Sequence, residues 1–259
     1  MSVSAEPGIY IIEGCVGVGK SVFVHSTLAF AELVFGKGAK VVLIHEEIYG
    51  PFLDLYLADQ KRLAFPFQTC MARDRIEAMR MAQRHYRKGR VVLIDRGVPG
   101  DIAFAKLHHK LGNISNDEMR VYYGMLGHGV PHFIPASLVP KVSCSAATQT
   151  ANFEASEDDD DLALLALPER AVRIVYLRVD AQIAFARMQK RGNAGEVDSY
   201  KLGYFFDLCD AYDETIDAFR RELPTGSVRT VQYNATRRVD ETGHMLRKDC
   251  LAVWRAVRK

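Results

Sequence analysis

The stretch Gly14-Cys15-Val16-Gly17-Val18-Gly19-Lys20-Ser21 follows the apolar run Ile9-Tyr10-Ile11-Ile12 and leads into a helical pattern. It fits G-x-x-x-x-G-K-[ST] in the context that motif requires, a strand entering and an amphipathic helix leaving. Glycines let the chain turn tightly, so that the N–H groups of Cys15, Val16, Gly17, Val18 and Gly19 converge on a phosphate chain. The helix that follows sets its positive end on the same anion. Lys20 is then placed to reach the β- and γ-phosphates, and Ser21 to offer its hydroxyl to Mg²⁺. A glycine-rich turn that binds nothing is the bland alternative, and the Lys-Ser pair together with the flanking pattern argues against it. The motif predicts a protein that handles a nucleoside triphosphate.

Composition limits what else the chain can be. With 259 residues, 48% of them apolar, it can bury a full core as one domain or at most two. A net charge of +2, with no basic face interleaved with aromatics, argues against a nucleic-acid partner. Five cysteines (Cys15, Cys70, Cys144, Cys209 and Cys250), scattered and without C-x-x-C spacing, read as reduced thiols, neither a disulfide framework nor a zinc site. Residues 1–7 are too short and polar for a signal peptide, and no apolar run approaches the ~20 residues of a membrane span. These features point to a cytoplasmic protein with no membrane partner, and they do not separate the cytosol from the nucleus or an organelle.

Working outward from the loop, β-branched apolar runs recur at 9–12, 40–44, 90–94, 172–177 and 228–233. The first four are near-continuous, as strands buried on both faces should be. Helical patterns at 21–35 and 69–87 lie between them, with Gly36 and Gly89 where C-terminal glycines belong. Strands alternating with helices predict a doubly wound α/β fold around a five-stranded parallel sheet. Such sheets bind ligands beyond the carboxyl ends of their strands. Residues 137–168, low in apolar content and ending in an acidic block, read as an exposed, disordered insertion.

The residues just after each strand are therefore the informative ones. After the second run stand Glu46 and Glu47; Glu46, nearer the strand end, is the better placed to accept the proton of an attacking hydroxyl. The third run ends in Asp95-Arg96, a Walker B carboxylate for Mg²⁺ followed by a guanidinium for phosphate or for the 5′-oxygen. Phe67, Met71 and Arg75 are spaced four apart on a helix that the segment from Phe65 opens, and Gln68 adjoins them. Phe67 offers a stacking face and Gln68 a donor–acceptor pair for the edge of a base, although Phe and Met at helical spacing also fit a core. After the fourth run, Arg187 and Arg191 share a helix face ahead of Gly192-Asn193-Ala194-Gly195-Glu196, which reads as an arginine-bearing lid closing on phosphates.

This combination resembles the deoxynucleoside kinase family, which includes the cellular deoxycytidine, deoxyguanosine and mitochondrial thymidine kinases and the herpesviral thymidine kinases. The likeness runs from about residue 8 to 110 and again from about 170 to 215. Residues 55–68 look like the cellular enzymes, and the lid looks more like the viral ones. The resemblance implies a P-loop kinase fold over 1–259, with ATP as phosphate donor, Mg²⁺, a small-molecule deoxynucleoside as acceptor, and a homodimer. It makes Glu46 the general base, Phe67 and Gln68 the residues that hold the base, and Arg96, Arg187 and Arg191 the residues that contact the phosphates. Glu196 matches an acid on the sugar 3′-hydroxyl. The companion tyrosine of the family aligns with Leu57, and Tyr56, one step off that register, is the substrate-binding candidate. Arg75 with Asp101 resembles the pair in deoxycytidine and deoxyguanosine kinases, which favours those nucleosides, whereas the lid favours thymidine. Glu47 replaces the family's proline, Gly97 its Ser or His, and Asn193 a further lid arginine.

Two other functions fit a P-loop. A nucleoside monophosphate kinase of the thymidylate kinase type carries Arg-Glu-Pro-Gly after the second strand, where this chain has His45-Glu46-Glu47-Ile48, an acid pair that repels a monophosphate. A non-catalytic nucleotide-binding protein would not need Lys20, Ser21, Glu46 and Asp95 together.

Overall fold

The computed structural model describes residues 7–130, 133–139, 171–233, 239, 241 and 243–258. Among them, β1 (Gly8–Glu13), β2 (Val41–Ile44), β3 (Val91–Asp95), β4 (Val172–Arg178) and β5 (Val228–Gln232) form one parallel sheet in the order β2-β3-β1-β4-β5. The five runs expected as strands all fall on strands. β1 lies in the middle and pairs with β3 up to Ile12↔Asp95 and with β4 up to Glu13↔Tyr176. The loop leaving β1 is therefore flanked by the ends of both neighbours, where a phosphate-binding loop can collect side chains from either side.

Burial follows strand position. Every residue of β1 and β3 is buried, as their unbroken apolar runs require. β2 departs from the expected two-faced burial: Val41, Val42 and Leu43 are half-buried and Ile44 alone is buried. It is an edge strand, with a neighbour on one side only.

Helices fill the crossovers. The pattern at 21–35 resolves into α1 (Lys20–Ala29) and α2 (Ala31–Phe35), broken at Phe30, whose φ of −112° leaves the helical region. α3 (Gly50–Ala58) precedes α4 (Gln60–Arg87), which starts well ahead of the expected 69 and runs through Pro66. Asp59 accounts for the early start, its carboxylate accepting from Arg62 N at 3.2 Å as an N-cap. The segment from Phe65 thus lies inside the helix and does not open it. α5 (Val98–Lys110) and α6 (Asn116–Gly129) follow β3, and α6 begins with a Ser115/Glu118 capping box. α7 (Ala181–Arg191), α8 (Ala194–Ser199) and α9 (Leu202–Glu222) join β4 to β5, and α10 (Arg247–Val257) closes the described chain.

Trp254 of α10 packs against Tyr10, Phe23 and Phe35 at ring separations of 5.1, 5.6 and 4.9 Å. Its indole N–H donates to Thr27 Oγ1 at 2.9 Å. This cluster fixes α1, and with it Lys20 and Ser21, against the sheet. Of the segment expected to be a disordered insertion, residues 137–139 are ordered: Ala136–Leu138 form a 3₁₀ turn whose Ala136 and Ser137 amides donate to the Glu222 carboxylate at 2.6 and 3.1 Å. The rest, 140–168, lies outside the described residues. Among the described residues, no helix is long and apolar enough to cross a membrane.

Candidate active site

The loop after β1 has the backbone its sequence demands. Gly14, Gly17 and Gly19 have φ of 152°, 78° and 99°, which side-chain-bearing residues rarely adopt. Space excludes a side chain as well: a Cβ on Gly17 would collide with the carbonyl oxygen of Ala184 in α7, and one on Gly14 would lie 2.7 Å from Leu177 O. Lys20 is buried and donates from Nζ to Gly14 O at 3.0 Å, folding back over the loop. Burial and the Arg96 guanidinium push its ammonium down to about 8 against the pull of Glu46, Asp95 and Cys15.

Opposite the loop, Ser21 Oγ donates to Asp95 Oδ2 at 3.1 Å, and the buried Oδ1 of Asp95 has no hydrogen-bond partner. Arg96 follows with φ of +67°, the one non-glycine residue with positive φ among those described, its amide donating to Ile12 O at 3.1 Å. Its Nε meets Glu46 Oε1 at 2.7 Å, Nη1 donates to the Tyr212 hydroxyl, and the guanidinium lies 5.1 Å from the centre of the Phe104 ring. Glu46 Oε1 also accepts from Arg75 Nη2 at 2.6 Å, so both guanidiniums hold one oxygen and leave Oε2 for another donor. Burial raises the Glu46 carboxyl, but Arg96, Arg75 and Lys20 together hold it below its usual range. Glu47 is exposed beside it.

Phe67, Gln68, Met71 and Arg75 form the adjoining wall of the same cavity, which has a volume of about 540 Å³. That is within the usual range for a small-molecule site. Gln68 is buried and lines this cavity, and its Oε1 has no hydrogen-bond partner within the protein.

The family model for deoxynucleoside kinases matches residues 10–139, half of the sequence and most of this wall. The chain belongs to the deoxynucleoside kinase family. Its activity is that of a nucleoside kinase. No curated protein matches the sequence at a significant level. Among solved structures, the deoxyadenosine kinase of M. mycoides with bound dCTP is 20% identical, with a TM-score of 0.55 over 94% of this chain and 98% of that one. The same enzyme with bound dATP gives 18% identity and a TM-score of 0.54 over 97% and 100% of the two chains. With dCMP and a flexible dCDP the values are 19% and 0.57 over 87% and 90%. At these identities the likeness shows a shared fold.

The remaining predicted residues fall around the same cavity, several with unexpected partners. Asp101 lines it with Arg75, but the two do not pair with each other: Arg75 goes to Glu46, and Asp101 Oδ2 accepts from Tyr122 OH at 2.6 Å. Burial pushes Asp101 up to about 7 against the pull of Arg75 and of the Tyr122 hydrogen bond. Tyr56 faces the cavity, stacked on Phe67 at 4.3 Å, with its hydroxyl 2.5 Å from His108 Nε2. Leu57, which occupies the family's tyrosine register, instead packs beneath Gly195. Burial holds His108 down at about 4, so its ring is neutral.

Arg187 and Arg191 both line the cavity with Glu196. Arg187 Nη1 donates to Val18 O at 3.0 Å, in the loop after β1, and Arg191 forms an ion pair with Glu196. The expected loop 192–196 shrinks to Gly192 and Asn193, because α8 begins at Ala194 and takes Gly195 into a helix.

Sequence reading missed Glu13. It is wholly buried between the apolar run and the loop, and its Oε1 accepts from Gly97 N and Gly100 N at 2.9 and 3.0 Å. It therefore caps the N-terminus of α5 and braces the turn that carries Arg96. Burial outweighs Arg96 and these hydrogen bonds, and the carboxyl is raised. An acid ending an otherwise apolar buried strand was the available signal, as was Gly100, where a Cβ would collide with Glu13 Oε2.

Proposed function

We propose that this protein transfers the γ-phosphoryl group of ATP to the 5′-hydroxyl of a deoxynucleoside, with the deoxynucleoside lying along α4 and the phosphates on the loop after β1. The observation that carries this reading is Glu46, whose Oε1 is held by two guanidiniums and which lines the same cavity as Lys20 and Gln68. Glu46 Oε2 accepts the 5′-hydroxyl proton as the O–P bond forms. Lys20 leaves the Gly14 carbonyl for the β- and γ-phosphates, and Arg96, Arg187 and Arg191 offset the charge on the transferring group. A bare surface acid would serve poorly, because a proton acceptor must be fixed in line with the reacting oxygen.

Ser21 and Asp95 fit a Mg²⁺ site: a hydroxyl beside a carboxylate whose buried Oδ1 is unpartnered, with the further oxygens coming from phosphates and water. Ser21 and Asp95 would hold such an ion, which would supply positive charge against that of the transferring phosphoryl group. Glu196 and Tyr56 are assigned to the sugar, which requires Arg191 to leave Glu196 for phosphate as the α7–α8 segment closes.

Gln68 and Asp101 favour a base bearing an exocyclic amino group, since an ionised Asp101 accepts from such a group and faces a carbonyl unfavourably. This supports deoxycytidine or a purine deoxynucleoside over thymidine, in keeping with the dCTP and dATP bound to the similar M. mycoides enzyme. The whole chain is read as one kinase domain acting as a homodimer, for which light scattering should give twice the chain mass. The functional test is kcat/KM by coupled ADP release for the four deoxynucleosides and dTMP. Turnover of dTMP alone would support a thymidylate kinase instead, and ATP binding without turnover a non-catalytic protein.

A further inference from the structure

Tyr56 lines the cavity, but its hydroxyl is held by a residue that does not. His108, in the last turn of α5, lies outside the cavity lining, is wholly buried, and meets the Tyr56 hydroxyl through Nε2 at 2.5 Å. Its other ring nitrogen, Nδ1, lies 3.1 Å from Asn113 Nδ2. The end of α5 builds this contact. Gly112 turns left-handed at a φ of 73°, its amide donating to His109 O at 3.0 Å and that of Asn113 to His108 O at 2.8 Å. Two such bonds around a glycine reverse the chain at a helix end, and here they lay Asn113 back over His108. Tyr56 is fixed in turn, its ring stacked on Phe67 and edge-on to His108 with centres 5.5 Å apart.

Counting protons gives this chain of contacts a direction. Burial keeps the His108 ring neutral, so it carries a single N–H. An amide nitrogen only donates, so Nδ1 beside Asn113 Nδ2 is the bare acceptor. The N–H is then on Nε2 and donates to the Tyr56 oxygen. The proton of Tyr56 itself has no place on His108 and is left for another acceptor.

We propose that Asn113 and His108 are positioning residues that make the Tyr56 hydroxyl a hydrogen-bond donor to the sugar 3′-hydroxyl. The 3′-hydroxyl as acceptor rests on the assignment of Tyr56 and Glu196 to the sugar made above, whereas the tautomer of His108 stands on the side-chain geometry alone. Direction matters because Glu196, ion-paired with Arg191, is a carboxylate and only accepts. The 3′-hydroxyl gives its one proton to Glu196 and takes the Tyr56 proton on a lone pair. With the opposite tautomer Tyr56 would donate to His108, and two acceptors would face one hydroxyl proton. A site that bonds a hydroxyl in both directions rejects a sugar that lacks it. The hydroxyls of Tyr200 and Tyr204 interact with that of Tyr56 and compete for its proton.

The test begins with the wild-type protein at neutral pH and a nitrogen–proton NMR spectrum of its histidine side chains. His108, assigned by the loss of its signals in His108→Gln, should show a bare Nδ1 and a protonated Nε2. The reverse tautomer, or a ring protonated on both nitrogens, overturns the proposal. Kinetics then compare a deoxynucleoside with the 2′,3′-dideoxynucleoside of the same base. His108→Phe should raise KM for the deoxynucleoside about two- to tenfold with kcat little changed, as expected for one neutral hydrogen bond, and should leave kcat/KM for the dideoxy analogue nearly unaltered. Tyr56→Phe combined with His108→Phe should be no worse than Tyr56→Phe alone. His108→Gln, whose side-chain amide keeps an N–H donor, should recover part of the loss. Equal losses on the two nucleosides, or additive losses in the double variant, would mean a structural role and overturn the proposal. If Tyr56→Phe itself shows no loss specific to the 3′-hydroxyl, the sugar assignment and the donor role both fall, with the spectrum still deciding the tautomer. A protein that turns over neither nucleoside would sink the kinase reading instead, with Kd from calorimetry carrying the same comparison.

Discussion

The two ends of the cavity are built by different means. At the phosphate end, backbone does the work: three left-handed glycines, a helix N-terminus and a lysine lie within eight consecutive residues. At the nucleoside end, single side chains arrive from α3, α4, α5 and α8, and their chemistry depends on which neighbour each one takes. Glu46 joins the two, reached by Arg75 from the base side and Arg96 from the phosphate side. Substitutions at the first end should therefore damage every substrate alike, and those at the second should change preference.

The largest effect is expected at Gly17. Alanine there meets both a left-handed φ of 78° and the Ala184 carbonyl, a combined cost of ~2–6 kcal/mol. Turnover with ATP should fall on the order of 10²-fold or more for every deoxynucleoside; a preference that changes instead would break the division between the two ends. Glu13→Gln comes next. It keeps the shape but changes the partner of the Arg96 turn, so kcat should fall about tenfold with the KM for nucleoside little changed. A rise in KM alone would place Glu13 with the nucleoside end.

Protonation sharpens the contrast. Asp101, raised by burial to about 7, is neutral below that pH and a carboxylate above it. The ratio of kcat/KM for deoxycytidine to that for thymidine should therefore rise a few-fold between pH 6 and pH 8, and Asp101→Asn should flatten it. Lys20, held near 8, loses its charge above that pH and lowers both values together, so it cancels in the ratio. The smallest effect is expected for Tyr56→Phe, which removes one neutral hydrogen bond worth ~0.5–1.5 kcal/mol and should raise KM two- to tenfold with kcat little changed.

The same contrast explains what the sequence revealed. The phosphate loop, Asp95-Arg96 and the strands were legible because each is a local pattern whose geometry is carried by the residues that display it. The partners were not. Arg75 and Asp101 resemble the charged pair of some family members, yet Arg75 is taken by Glu46 from another strand end and Asp101 by Tyr122 of α6. Tyr56 enters the cavity in place of Leu57 because of how α3 is rotated against α4 and α8, which no window of sequence contains. The segment from Phe65 reads as the opening of a helix, but the Asp59 cap starts α4 earlier and its packing outweighs the missing N–H of Pro66. Glu13 was hidden by its setting, one acid at the end of an apolar strand, whose role appears once α5 is brought over it.

The central claim is that Glu46 is the proton acceptor at the junction of the two ends. Its most direct test is the single-turnover rate of Glu46→Gln with saturating ATP and saturating deoxycytidine or thymidine. The account predicts a loss on the order of 10²-fold or more, equal for the two nucleosides, with ATP binding retained. A rate within fivefold of the wild type, or a loss confined to one nucleoside, would contradict it.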